Sequence, residues 1–225
     1  MPESNAGLDA DLFEEPDDLE AGAAVLFTLG QLHRASPSQA TLDAFVELSQ
    51  EWPIPVGEHT ARALELFALS RSQGETPEQI KTDHNWLYGV SATAKVAPYE
   101  SVHRGRDHLI FDDDTLRVRA AYKDMGFSVL QYNKIPDDHV GIEMEFLARC
   151  LLQALDAKEK GDLQGVERYL ASAKSFLNDH VLQWAPTMLN QAADKAETAF
   201  MEAVALASID AIAFAEQISG SSAQA

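Results

Sequence analysis

Cysteine is almost absent. Cys150 is the only one in 225 residues, so no disulfide can close within the chain, and its neighbours Phe146, Leu147, Leu151 and Leu152 mark it as a small buried apolar residue. Such cysteine usage fits a reducing compartment. Basic residues are scarce as well, 17 against 36 acidic ones, for a formal charge of −19. A field of that sign repels nucleic acid and anionic lipid and steers cationic partners inward. Long apolar runs are also missing. The strongest, Ala203 to Ala215, is interrupted by Ser208 and Asp210 and falls short of the ~20 residues a membrane span requires. The acidic N-terminal stretch has neither a basic nor an apolar segment and reads as no export signal. The expectation is a soluble cytoplasmic protein with no membrane insertion and no nucleic-acid partner.

Two kinds of loop are lacking. Neither Gly-x-Gly-x-x-Gly nor Gly-x-x-x-x-Gly-Lys occurs, so no phosphate cradle is expected. No Gly-x-Ser-x-Gly elbow occurs, and Cys150 is placed for packing rather than for activation by a basic neighbour, so nucleophilic catalysis is not expected either.

What is present is helical periodicity, with no alternating runs joined by a hairpin turn. The spacing predicts a helix over 18–34 with Leu19, Ala23, Leu26 and Leu29 inward. Ser36-Pro37 starts a second, with Leu42, Phe45, Val46 and Leu48 on its apolar side. A third, over 58–72, presents Ala61, Leu64, Phe67 and Ala68. Thr76-Pro77-Glu78-Gln79 reads as a capping box, opening a helix with Ile80, His84, Leu87, Tyr88 and Ser91 on one face. A short turn follows Pro98, and His108-Leu109-Ile110-Phe111 is too short to assign. Asp112-Asp113-Asp114 caps a helix that ends at Gly126. From Asp137 the positions Val140, Met144, Leu147, Leu151 and Leu155 run to a C-terminal cap at Gly161. Asp162 begins another helix, and Pro186 introduces a final Ala-rich one reaching about residue 218. The expected fold is an all-α bundle of about 8–10 helices. Its expected division is a tail over 1–15, a larger N-terminal lobe over 16–135, a smaller C-terminal lobe over 136–219 and a frayed end over 220–225.

Pro136-Asp137-Asp138-His139 reads first as a helix N-terminus, where an Asp side chain accepts from exposed N–H groups. His139 does not fit that account, because a cation is disfavoured at the positive end of a helix. Glu100-Ser101-Val102-His103 has the Glu-x-x-His spacing of di-iron bundles, but no second copy accompanies it. His139 and Glu143 stand at i and i+4. A metal-dependent bundle enzyme using Glu100, His103, Asp138, His139 and Glu143 is therefore the alternative reading. Trp86 stands one position off the Leu87/Tyr88 stripe, at an edge where interaction hot spots commonly use Trp.

Five pieces in order, Trp86-Leu87-Tyr88-Gly89, Ala97-Pro98-Tyr99-Glu100-Ser101-Val102-His103, Tyr122 with Gly126, Pro136-Asp137-Asp138-His139 with Glu143-Met144-Glu145-Phe146-Leu147, and His180 with Trp184-Ala185-Pro186, resemble the TorD/DmsD family of redox-enzyme maturation chaperones. Tyr99, His103 and Ile135 depart from that family's usual residues, which bears on the client and not on the fold. The resemblance implies a non-enzymatic, cofactor-free, all-helical chaperone, monomer or homodimer. It would bind the twin-arginine signal peptide, the apo form, or both, of a molybdopterin oxidoreductase subunit, assisting cofactor insertion and delaying export. It implies a peptide-binding set of Trp86, Tyr88, Pro98, Tyr99, Glu100, Ser101, Pro136, Asp138 and His139. In that set Asp138 and Glu100 would face the arginines or order the loop, His139 would tie the loop to its neighbours, and Tyr88, Pro98 and Tyr99 would line the apolar part.

Overall fold

The computed structural model describes residues 17–89, 94–105, 113–127 and 136–220. The tail over 1–15, Ser91, the 108–111 stretch, Ile135 and the end past Gly220 lie outside them. Among the described residues there are ten α-helices and one 3-10 turn: α1 Asp18–Arg34, α2 Gln39–Leu48, α3 Glu58–Gln73, α4 Pro77–Tyr88, α5 Glu100–Arg104, α6 Asp113–Asp124, α7 Val140–Glu159, α8 Leu163–Asp179, the 3-10 turn Val181–Gln183, α9 Ala185–Lys195 and α10 Ala199–Gly220. No strand occurs among them, only one isolated antiparallel bridge between Tyr99 and His139. The fold is all-α, as the periodicity predicts.

Local chemistry sets many of the ends. Asp17 accepts from Leu19 N at 2.9 Å to open α1. The Thr76/Gln79 capping box opens α4, and Asp162 accepts from Gly165 N at 2.9 Å to open α8. Gly126 and Gly161 follow their helices at φ 74° and 71°, the left-handed region where a side chain costs energy.

The most extensive contact is between α1 and α7. They run antiparallel, pinned by Lys158 on Asp17 at one end and by Arg34 on Glu145 at 2.6 Å at the other. Leu26 and Leu29 of α1 and Met144, Leu147 and Leu151 of α7 are buried in one continuous core. Two glycines let the backbones approach: a Cβ on Gly30 would lie 2.7 Å from the Gly141 carbonyl oxygen. Gly30→Ala is therefore expected to cost about 1–3 kcal/mol by overpacking, read as a lower urea midpoint with an unchanged slope. Apolar on nearly every side, α10 buries residues from Phe200 to Ser219 and packs on α3, α9, α1 and α8. The core runs without interruption from Leu19 to Ile218, so the segments before and after residue 135 bury their apolar faces against each other.

Three local expectations are corrected. First, α2 begins at Gln39 rather than at Pro37, and Thr41 N donates to the Ser38 hydroxyl at 3.2 Å. Second, α3 is rotated from the expected face. Thr60, Ala63, Leu66, Phe67 and Ser70 are buried, whereas Ala61 and Ala68 are exposed. The cause is distant: Asp210 of α10 accepts from Thr60 N at 2.7 Å and meets His59 Nδ1 at 3.1 Å, which fixes the rotation of α3. Third, the final helix is two helices. The break at 196–198 is held by side chains from the α3–α4 region. Asp83 Oδ2 accepts from Glu197 N, Thr198 N and Thr198 Oγ1 at 2.7–2.9 Å. The Glu75 carboxylate accepts from Ala199 N and Phe200 N at 2.8 and 3.1 Å. These interactions satisfy donors that a helix start leaves open.

Candidate functional site

The two segments singled out in the sequence, 97–103 and 136–143, lie side by side. Val140 N donates to Pro98 O at 2.9 Å and Glu100 N donates to Asp138 O at 3.0 Å. The rings of Tyr99 and His139 meet edge to face at 5.4 Å. The first segment is also tied to the end of α4, because Lys95 N and Val96 N donate to the carbonyls of Trp86 and Leu87 at 2.9 Å.

Asp138 does not cap its own helix. Its Oδ2 accepts from Ser101 N at 2.8 Å, capping α5, and its Oδ1 accepts from Thr115 Oγ1 of α6 at 2.9 Å. The residue that caps α7 is His139, whose Nδ1 accepts from Gly141 N at 3.0 Å. This corrects the expectation of an aspartate cap. It also removes the electrostatic objection to a histidine there, since burial holds the ring well below its ordinary pKa, aided by the charge of Arg34 and by His33 and His84. A neutral imidazole is a sound acceptor at a helix N-terminus. Asp137 pairs with Arg119, and its carbonyl accepts from the Tyr122 hydroxyl at 3.0 Å.

Behind this junction lies a carboxyl pair. Glu100 is fully buried. Its Oε2 takes His180 Nδ1 at 2.9 Å, and Arg104 pairs with it one turn on while donating to Asp179 O at 2.7 Å. Glu143 Oε2 accepts from Trp184 Nε1 at 3.1 Å. Burial, then the negative charges of Glu100 and Asp138, push the Glu143 carboxyl well above its usual range, and the side chain of Glu100 beside it adds to that push. No described N–H or O–H donor reaches Glu143 Oε1, which is the arrangement expected if Glu143 carries the proton and donates it to Glu100. His103 Nε2 meets Ala97 O at 2.7 Å, and its ring stacks on Trp184.

Of the sequence-derived peptide-binding set, Trp86 alone is exposed, at 49%. Tyr88, Pro98, Tyr99, Glu100, Ser101, Pro136, Asp138 and His139 are buried. Seven of these eight meet at the α5–α7 junction, and Tyr88 sits in an adjoining cluster. There His33 Nε2 lies 2.9 Å from Ser208 Oγ, which itself donates to Val204 O at 2.7 Å. The serine must therefore accept from His33 Nε2–H, which leaves His33 Nδ1 as an acceptor for the Tyr88 hydroxyl at 3.0 Å. Burial lowers the His33 pKa to about 3 and raises that of Tyr88, with a further push from Asp83. His84 Nε2 meets His33 O at 3.1 Å.

Sequence reasoning left His180, Trp184, Arg104 and Thr115 out of the site. The first two stand in the motif string, but their partners are 80 and 41 residues away, a pairing that helical spacing does not reveal. The five residues of the alternative metal reading share the junction or its edge but do not form a ligand set. Among the described residues no group of three or more His, Cys, Asp or Glu side chains is placed to hold a metal ion. Burial raises the Cys150 thiol to about 12, away from any nucleophilic role. No described helix is long and apolar enough to cross a membrane.

Residues 49–190, which contain both junction segments, match the family described as nitrate reductase delta subunit. The chain belongs to that family. It is similar to the chaperone protein TorD of Vibrio cholerae, 26% identical over 53% of each chain. It is also similar to TorD of Vibrio parahaemolyticus, 22% identical over 61% of this chain and 64% of that one. TorD of Photobacterium profundum is 22% identical over 48% of this chain and 49% of its own. The chain thus spans about half to two thirds of the length of the curated relatives it matches. The crystal structure of a candidate redox enzyme maturation protein from Archaeoglobus fulgidus aligns over 89% of this chain and 98% of its own, with a TM-score of 0.49 and 15% identity.

Proposed function

We propose that the protein is a cytoplasmic maturation chaperone that binds the twin-arginine leader, the apo form, or both, of a molybdopterin oxidoreductase subunit, assisting cofactor insertion and delaying export. The observation that carries the reading is the sealed polar junction. Its carboxylates and histidines are spent on one another and on helix ends, an arrangement that stiffens a surface and gives a substrate no access to them. Membership of the delta-subunit family and similarity to TorD chaperones support the same reading.

In this reading the peptide-binding set divides into a frame and a face. Tyr88, Pro98, Tyr99, Glu100, Ser101, Pro136, Asp138 and His139 are the frame. The face is Trp86 together with the half-exposed Ala97, Val102 and His103, brought near it by the Lys95 and Val96 backbone bonds. The apolar part of a leader packs there, and the −19 charge draws in its arginines. Trp86→Ala is expected to weaken a fluorescent leader peptide by tenfold or more, the loss of a hot-spot aromatic being worth ~2 kcal/mol or above. Its melting temperature should stay at the wild-type value, because the ring is half in solvent. Unchanged affinity in a folded Trp86→Ala variant would overturn this face.

A further inference from the structure

A cavity of about 420 Å³ opens between the turn after α2 and the side of α3, and none of its residues belongs to the junction or to the Trp86 face. Leu64, Phe67 and Ala68 give it an apolar wall, and Ser49, Gln50 and Ser72 a polar rim. Arg71 is the only charged side chain among its described lining residues. The Phe67 ring is 2% exposed and is held edge-on by Phe45 at 4.7 Å and by Phe200 at 5.5 Å. Aromatic packing behind the wall therefore fixes its shape.

Arg71 is exposed, and it is the one arginine among the described residues whose side chain has no defined partner. Each of the others has an ion pair, a ring contact or another polar interaction. In a chain with 36 acidic residues against 17 basic ones, an arginine without a carboxylate beside it stands out. Its position in the last turn of α3 suits the negative end of the helix dipole, which accounts for a cation there. The dipole does not account for an unpaired guanidinium at the lip of an apolar cleft.

We infer that this cavity binds a small organic acid, a single carboxylate carried on one ring or a short apolar chain. The guanidinium fork matches a carboxylate in two parallel hydrogen bonds, and the wall of Leu64, Phe67 and Ala68 takes the apolar body. Phosphate and dicarboxylates are disfavoured, because they bring no apolar surface and their second charge is repelled by the −19 field. The volume lies at the lower end of the ~300–1,000 Å³ of small-ligand sites, which suits one ring and a short stem. The inference does not rest on the chaperone reading.

The test uses 3-phenylpropionate as probe on the full chain, followed by amide chemical shifts and by calorimetry, beside 3-phenylpropanamide and acetate. Two variants accompany the wild type, both at exposed positions: Arg71→Gln removes the charge, and Ala68→Trp fills the cleft. Expected are shifts centred on Ser49, Ala68, Arg71 and Ser72, and an affinity lowered about tenfold by Arg71→Gln, the worth of one charge-assisted hydrogen bond. The amide probe should bind the wild type more weakly by a similar factor and should not distinguish it from Arg71→Gln. Ala68→Trp should abolish binding with an unchanged fold by circular dichroism, and acetate should not bind. Absence of phenylpropionate binding at millimolar concentration, shifts centred elsewhere, or an affinity that Arg71→Gln leaves unmoved would overturn the inference. Both variants leave the Trp86 face intact, so such a failure is separate from any failure of leader binding.

Discussion

Glu143→Gln is expected to leave the protein at least as stable as wild type at pH 7, whereas Glu100→Gln is expected to lose about 3 kcal/mol. The two side chains are neighbours, yet their surroundings are opposite. Burial and then the neighbouring carboxylates of Glu100 and Asp138 favour the protonated form of Glu143, against the smaller opposing effect of the Trp184 indole N–H. A glutamine there mimics that form: its oxygen accepts from Trp184 and its amide donates to Glu100. Glu100 instead faces Arg104 and His180, and removing its charge leaves a partly buried cation without its partner. The Arg104 side chain is 30% exposed, so water takes up some of that loss and the figure sits at the low end of the range for broken buried pairs. The sign with pH follows. A carboxyl whose folded pKa is raised makes the wild type lose stability as pH climbs from about 4.5 toward the folded value. Glu143→Gln should lack that loss, so its advantage should widen across this window. Urea titrations of both variants at several pH values check this, and equal losses in the two would place the proton elsewhere.

The second large effect is acid lability, seen cleanly in the Glu143→Gln background where the opposing carboxyl is gone. His33 and His139 are buried and neutral, each with Nδ1 pointed at a donor, the Tyr88 hydroxyl and Gly141 N. Protonation would set donor against donor. The groups around them offer no relief: His33 feels His84, and His139 feels His33, Arg34 and His84. A histidine whose folded pKa is depressed leaves stability intact above about 6.5 and removes it as pH falls below that, at about 1.4 kcal/mol per unit for each group. Between pH 7 and 5 the two together should cost about 4 kcal/mol, and His84, also lowered by burial, adds in the same direction. A urea midpoint that stays flat over that interval would mean that these rings are not held neutral.

Much of the helix plan was legible because the signals are local. The Thr76/Gln79 box, Gly126 and Gly161 each set a boundary through residues within one turn. The misplaced features were set from far away. The rotation of α3 is decided by Asp210, and the break before α10 by Glu75 and Asp83, across sequence gaps that no periodicity spans. The junction was half legible. Its two segments stood out as proline-led polar runs before helices, and the structure pairs them. Their burial did not show, because a carboxylate reads as surface until its partner is known. Asp138 finds that partner in Thr115 and Ser101, Glu100 in His180, and Glu143 in Trp184. In the sequence His139 looks like a misplaced cation for the same reason, since its neutrality comes from packing rather than from its neighbours in sequence.

The most direct test of the chaperone reading is the binding kinetics of a twin-arginine leader peptide on the wild-type protein at low and high salt, beside the same leader with both arginines changed to lysine and one with its apolar stretch replaced by polar residues. The account predicts that salt slows association far more than it speeds dissociation, because the −19 charge steers the peptide and the Trp86 face retains it. It also predicts weaker binding of both altered leaders, through loss of fork-shaped donors in one and of apolar contact in the other. Absence of binding by the intact leader, or equal binding of all three peptides at both salt concentrations, would contradict it.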